Sequence, residues 1–181
     1  PSSGTARMNG REVFMAHKEM GLMLGDSMVY TLMTGRDNLD YAAHLYGVPN
    51  VRKRVEEVAH KLELGDWLDQ YVSEYSLGMK VKICLARALI HDPPILLLDE
   101  PTLGLDPNFA LELRKLIREL KKTIVLTTHY MEEAESLSDR VGILHHGHLV
   151  AEGTAGQLKE RLAGFENPSL TDVFVELTRS D

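Results

Sequence analysis

The chain has 181 residues, 44% hydrophobic and 26% charged, enough for one domain with a core and a small subdomain. Its net charge of −7 argues against a nucleic-acid binder that works through a broad basic face, although a local basic patch stays open. One cysteine, Cys84, rules out an intramolecular disulfide, and it reads as a small buried hydrophobe in a reducing compartment. No apolar run approaches the ~18 residues of a membrane span, and nothing at the start resembles a signal peptide.

In chain order, Ser3–Val13 alternates around Asn9-Gly10, a two-residue hairpin signal. Lys18–Leu24 reads as a short strand. From Gly25 to Tyr75 the pattern turns helical, in "TGRDNLDYAAHLYGV", "NVRKRVEEVAHKLEL" and "GDWLDQYVSEYS". Thr34 is placed to cap the first helix, and Pro49-Asn50 to break the chain before the second. Trp67 is expected to pack inside this segment, and Arg52-Lys53-Arg54 to form a solvated helix face.

Ser76 caps the next expected helix, whose apolar residues Ile83, Ala86 and Ile90 recur at helical spacing until Pro93 and Pro94 stop it. Ile95–Leu98 is a continuous apolar strand, the pattern of a sheet covered on both faces. Leu113, Leu116, Ile117 and Leu120 mark an amphipathic helix. "TIVLTTH" is the next strand, "YMEEAESLSDR" a short acidic helix, and "VGILHHGHLVAEG" a hairpin around Gly147. The histidines His145, His146 and His148 read as exposed turn residues before they read as a metal site. "TAGQLKERL" is a last helix and "SLTDVFVELTRSD" a helical tail. Strand alternating with helix in the second half means a parallel α/β core.

The apolar strand "ILLLD" ends in two acids, Asp99 and Glu100. Ligands of open parallel sheets sit beyond the carboxyl ends of the strands. An acid there suits Mg²⁺ beside a bound nucleotide, and a second acid can orient or deprotonate a water. A solvated strand end explains the two residues equally well. Their surroundings break the tie. Ser76 and Gly78 open a helix, where free N–H groups and the dipole favour an anion. His129 ends the neighbouring strand. Alone it reads as a structural residue; within this set it reads as a phosphate contact.

"YSLGMKVKICLARALIHDPPILLLDEPTLGLDP", followed by "TIVLTTHYMEEAESLSDRVGILHHGHLVAEG", resembles the ATPases of the ATP-binding cassette (ABC) transporters, in several motifs at matching spacings. "PSSGTARMNG", "MGLMLGD", "TGRDNL" and "SLTDVFVELT" extend the likeness over nearly the whole chain. "YSxGMK" and "DVFVELT" resemble the branch that powers ABC-2-type exporters. The resemblance implies an α/β fold: a P-loop NTPase-like parallel sheet with antiparallel hairpins and an inserted helical subdomain. It divides the chain into core β elements over 1–25, the helical subdomain over 26–75, the signature helix and α/β core over 76–162, and a helical tail over 163–181. It implies Asp99 as the ligand of Mg²⁺, largely through water, Glu100 as general base, and His129 as the contact to the γ-phosphate of ATP. Ser76, Leu77, Gly78 and Met79 would form the signature loop, which touches ATP bound to a second ABC ATPase subunit. Asp106 would face that interface. The helical subdomain would dock on a transmembrane permease subunit, with the protein peripheral on the cytoplasmic side of the membrane and no nucleic acid as partner.

The likeness has gaps. No G-x-x-x-x-G-K-[ST] occurs, and that loop supplies a phosphate cradle, a lysine and a Mg²⁺ ligand. The start at Pro1, without methionine, reads as a cut just after it, so this piece alone is expected to bind Mg-ATP weakly and to show no turnover. Gly25 stands where the family usually has a glutamine that contacts the metal and the attacking water. Leu77 and Leu103 also depart from the usual residues. Two rival readings are a soluble ABC-type ATPase of DNA maintenance and a non-catalytic regulatory cassette. The absence of coiled-coil heptads speaks against the first, and Glu100 with His129 against the second.

Overall fold

The computed structural model describes residues 3–162 and 167–179. They fall into two compact units, Pro1–Thr127 and Thr128–Asp181.

The first unit opens with a two-residue hairpin, β1 (Arg7–Met8) against β2 (Arg11–Glu12). Asn9 and Gly10 both take positive φ, 48° and 78°, as the sequence signal requires. Two 3₁₀ turns lead into β3 (Met20–Leu24), so the expected strand from Lys18 begins two residues later. Parallel pairing then places β3, β4 (Ile95–Asp99) and β5 (Thr123–Thr127) in one sheet, with Leu24 beside Asp99 and Asp99 beside Thr127.

α1 (Gly35–Leu45) starts at Thr34 in a full capping box with Asp37. α2 (Val51–Lys61) follows Asn50, whose φ of 53° is left-handed. The stretch "GDWLDQYVSEYS" differs from its expected helix and forms only the 3₁₀ turns Gly65–Asp69 and Val72–Glu74. Trp67 packs edge-on against Tyr75, ring centroids 5.0 Å apart.

α3 (Leu77–Leu89) packs against β3, α1 and α2. It crosses β3 so closely that a Cβ on Gly21 would lie 2.1 Å from the Ala88 carbonyl oxygen. This approach buries Met23, Leu96 and Leu98. Cys84 is buried on α3, and burial pushes its thiol up to about 11. The other side of the sheet departs from the expectation of two covered faces. Leu22, Leu24 and Val125 are exposed. α4 (Pro107–Glu119) buries Ala110, Leu113 and Ile117.

Arg54 corrects the reading of a solvated basic face. Its guanidinium donates to the carbonyls of Leu89 and Ile90, both at 2.8 Å, and so satisfies the carboxyl end of α3. Arg52 and Lys53 are exposed.

The second unit contains α5 (Met131–Leu137), the antiparallel pair β6 (Val141–His145) and β7 (His148–Gly153), α6 (Ala155–Lys159) and α7 (Leu170–Thr178). Its core is Ala134, Ile143, Ala151, Leu158, Leu170 and Val173. His146 and Gly147, at φ 46° and 78°, make the turn of the hairpin. α6 and α7 each start in a capping box too, Thr154 with Gln157 and Ser169 with Asp172. Part of the tail expected over 163–181 lies outside the described residues.

Candidate functional site

The apolar pattern of β4 ends where the sheet ends, and this is what exposes the acids. Leu96 and Leu98 point to the covered side and are buried, so Asp99 projects to the opposite side with Leu97. Its carboxylate is exposed. The parallel register brings Thr127 alongside, and the threonine hydroxyl donates to Asp99 Oδ1 at 2.5 Å. The same hydroxyl accepts from the Glu100 N–H at 3.2 Å, and the Thr127 carbonyl accepts from it at 3.1 Å. One threonine therefore contacts the Asp99 carboxylate and the Glu100 backbone at the strand end. Sequence reasoning noted Thr127 but gave it no role. The available signal was its place at the end of the strand beside "ILLLD".

Glu100 turns the chain away from the sheet with φ 46°, a left-handed conformation that is uncommon outside glycine. Its cost, of order 1 kcal/mol, is met by the two contacts to Thr127. Gly25, at the end of β3, has φ 53° and donates its N–H to the Asp99 carbonyl at 3.2 Å. Any side chain at this left-handed position would be strained. Gly25 thus braces the strand end through its backbone.

The amino end of α3 is a helix start capped by Ser76. The Ser76 hydroxyl accepts from the Met79 N–H at 3.3 Å, and the Ser76 carbonyl accepts from the Lys80 N–H at 3.0 Å. The Leu77 and Gly78 N–H groups, first in the helix, carry no partner among the described residues, as expected of a helix start. Ser76 and Leu77 are exposed, and Gly78 and Met79 half-buried.

Asp106 caps α4: its carboxylate accepts from the Phe109 N–H at 3.0 Å, and Pro107 fills the first helical position. This local capping role was not foreseen in the sequence. His129 belongs to the second unit, two residues after β5. It is exposed, and its ring lies 4.2 Å from that of Tyr130. The structure thus brings Asp99, Glu100, Gly25 and Thr127 together, and Ser76–Met79 and Asp106 belong to the same unit.

The donor chemistry fits Mg²⁺. Asp99 offers an exposed hard carboxylate, and the described residues contain no group of three or more His, Cys, Asp or Glu able to cage an ion. Mg²⁺ is ordinarily held by one or two carboxylates together with water and substrate phosphates.

Known proteins resemble this chain in sequence and in fold. Residues 1–103 match the family model for ABC transporters. The chain is 35% identical over 170 residues to the ABC transporter ATP-binding protein NatA of Bacillus subtilis, covering 88% of this chain and 69% of that protein. It is 35% identical over 176 residues to the linearmycin resistance ATP-binding protein LnrL of the same organism, covering 94% of this chain but 54% of LnrL. A solved ATP-binding subunit of an ABC transporter superposes with a TM-score of 0.82 at 29% identity, over 98% of this chain and 77% of that one. Among the described residues, no helix is long and apolar enough to cross a membrane.

Proposed function

The chain belongs to the ABC transporter ATP-binding family, and from that premise we propose that it acts within the ATP-hydrolysing subunit of an exporter. The observation that carries this reading is the strand end where Thr127 contacts the Asp99 carboxylate and the Glu100 backbone. Glu100 takes the proton of a water that attacks the γ-phosphate of ATP. Asp99 would hold Mg²⁺, largely through water, and the ion would supply positive charge to offset that of the phosphates. His129 contacts the γ-phosphate. Ser76, Leu77, Gly78 and Met79 meet ATP held by a second ATPase subunit, with Asp106 at the same interface. The energy drives transport through a separate transmembrane subunit, with this protein on the cytoplasmic side of the membrane. Resistance and transport names among its relatives support export, and speak for a transporter over an ATPase of DNA maintenance.

By itself the 181-residue chain, which holds no G-x-x-x-x-G-K-[ST], binds Mg-ATP weakly and does not turn over. Titration calorimetry giving micromolar affinity, with steady phosphate release, would contradict this. In the intact subunit, Glu100→Gln removes the base. Turnover falls by at least about 100-fold, and ATP then holds a stable dimer in size-exclusion chromatography. Unchanged turnover would remove Glu100 from the chemistry.

A further inference from the structure

The first turn of α3 touches both the first turn of α4 and the loop that leads into it. A Cβ on Gly78 would lie 2.8–3.0 Å from three carbons of the Phe109 ring. A Cβ on Gly104 would lie 3.2 Å from Leu77. Each contact pairs a residue of the expected signature segment with one from the stretch around Asp106. Phe109 is fixed from several sides. Asp106 accepts its N–H, so the ring leaves the helix at a capped and defined position. One turn along α3, Lys82 is buried with its ammonium 5.4 Å from the ring centroid, a distance at which a cation is attracted to the ring face.

We propose that Phe109 is a positioning residue for the nucleotide site. Its ring fills the place a side chain at 78 would occupy and locks the segment Ser76–Met79 to the Asp106 loop as one surface. Gly78 is then required for a reason separate from the approach of a phosphate: it makes room for Phe109. The two N–H groups at the start of α3 keep their aim because the ring holds the turn that carries them. This inference rests on the reading of Ser76–Met79 as an ATP contact.

The test is a double-mutant cycle in the intact subunit, reading KM for ATP, kcat and the thermal unfolding midpoint. Gly78→Ala pushes the turn off the ring and raises KM about tenfold, and Gly78→Ala with Phe109→Ala returns KM to within about threefold of wild type. Phe109→Ala alone raises KM with little change in kcat, whereas Phe109→Leu, which keeps part of the bulk, lies between it and wild type. A double variant no better than Gly78→Ala overturns the proposal, since a glycine needed only for ligand approach gives that result. Recovery of the unfolding midpoint without recovery of KM overturns it too. If wild-type turnover depends on Glu100 and the rescue fails, only this inference falls. A wild-type subunit with no turnover removes the functional reading and this inference together.

Discussion

His91 sits where three elements of the first unit meet. Its ring stacks on Tyr46 just past α1, with centroids 3.7 Å apart and planes within 6°. Its Nε2–H donates to the Met20 carbonyl at 2.9 Å, which leaves Nδ1 as a buried nitrogen without a partner. Burial holds the His91 pKa below its ordinary 6.5; Arg54 on α2 and Lys122 before β5 push the same way, while the bond to the Met20 carbonyl and the charge of Asp92 oppose them. The folded state therefore binds fewer protons than the unfolded state below about pH 6.5. The stability this gives is complete above that value and is lost as pH falls through the folded pKa. Denaturant unfolding should show a slope of up to about 1.4 kcal/mol per pH unit in this window. His91→Phe keeps a stacking ring and should flatten that slope, whatever its absolute stability; a slope unchanged in the variant would clear His91. Asp92, lowered by its hydrogen bond to Lys122, acts with the same sign at more acidic pH. At this scale the sequence was uneven. Asp99 and Glu100 stood out because an apolar run stopped at them. Thr127 and Arg54 did not, since the role of each depends on which chain lies beside it. The register that sets Thr127 against Asp99, and the packing that brings Arg54 to the end of α3, are tertiary facts.

Among the elements, α1 shows how one buried amide organises a loop. Asn38 is fully buried, and its side chain bonds three times to the backbone and once, at 3.5 Å, to Arg87. Its Nδ2 donates to the carbonyls of Tyr30 and Thr34 at 3.0 and 2.9 Å, and its Oδ1 accepts from the Tyr30 N–H at 2.8 Å. From α3, Arg87 adds a bond to the Met28 carbonyl and lies 5.1 Å above the Tyr30 ring. The loop after Gly25 is thereby pinned to both helices. Asn38→Ala strands the Tyr30 N–H, while the Tyr30 carbonyl keeps the Met33 N–H at 3.2 Å, so we expect a loss of about 1–3 kcal/mol in denaturant unfolding and faster proteolysis between residues 26 and 34. A loss within about 0.5 kcal/mol, the usual range for surface substitutions, would mean that water replaces the amide. Thr34 was legible as a cap, because capping is a local matter of residue type and spacing. The helix expected at "GDWLDQYVSEYS" was not realised. Leu68, Val72 and Tyr75 keep a helical spacing and are buried, but Gln70 is extended and Tyr71 bridges to Thr34. A chain of 3₁₀ turns satisfies the same period, and only the bridge decides between the two.

For the first unit as a whole, the open side of the sheet decides its behaviour. Leu22, Leu97 and Val125 stand in one registered row, so they share a face with Leu24, Ile95 and Asp99. Leu22, Leu24 and Val125 are 40%, 43% and 58% exposed. β5 also has one unpaired edge among the described residues, because it pairs with β4 alone. The run "ILLLD" is apolar on both faces, which led the sequence to a sheet covered twice. The pattern states what the strand requires and says nothing about which segment supplies the cover. An apolar face beside an unpaired edge is a site of association. Asp99 lies on that face, so the candidate metal ligand and the open apolar row share one environment. The isolated 181-residue chain should therefore self-associate and bind a hydrophobic dye, seen by light scattering and fluorescence at roughly 10–100 μM, the range where such surfaces aggregate. Val125→Lys with Leu22→Ser should reduce both signals while the circular dichroism spectrum is kept, since neither side chain supports the buried face. A wild-type chain that stays monomeric and dark to the dye would show that this face is covered in solution, and the two substitutions would then lower stability instead.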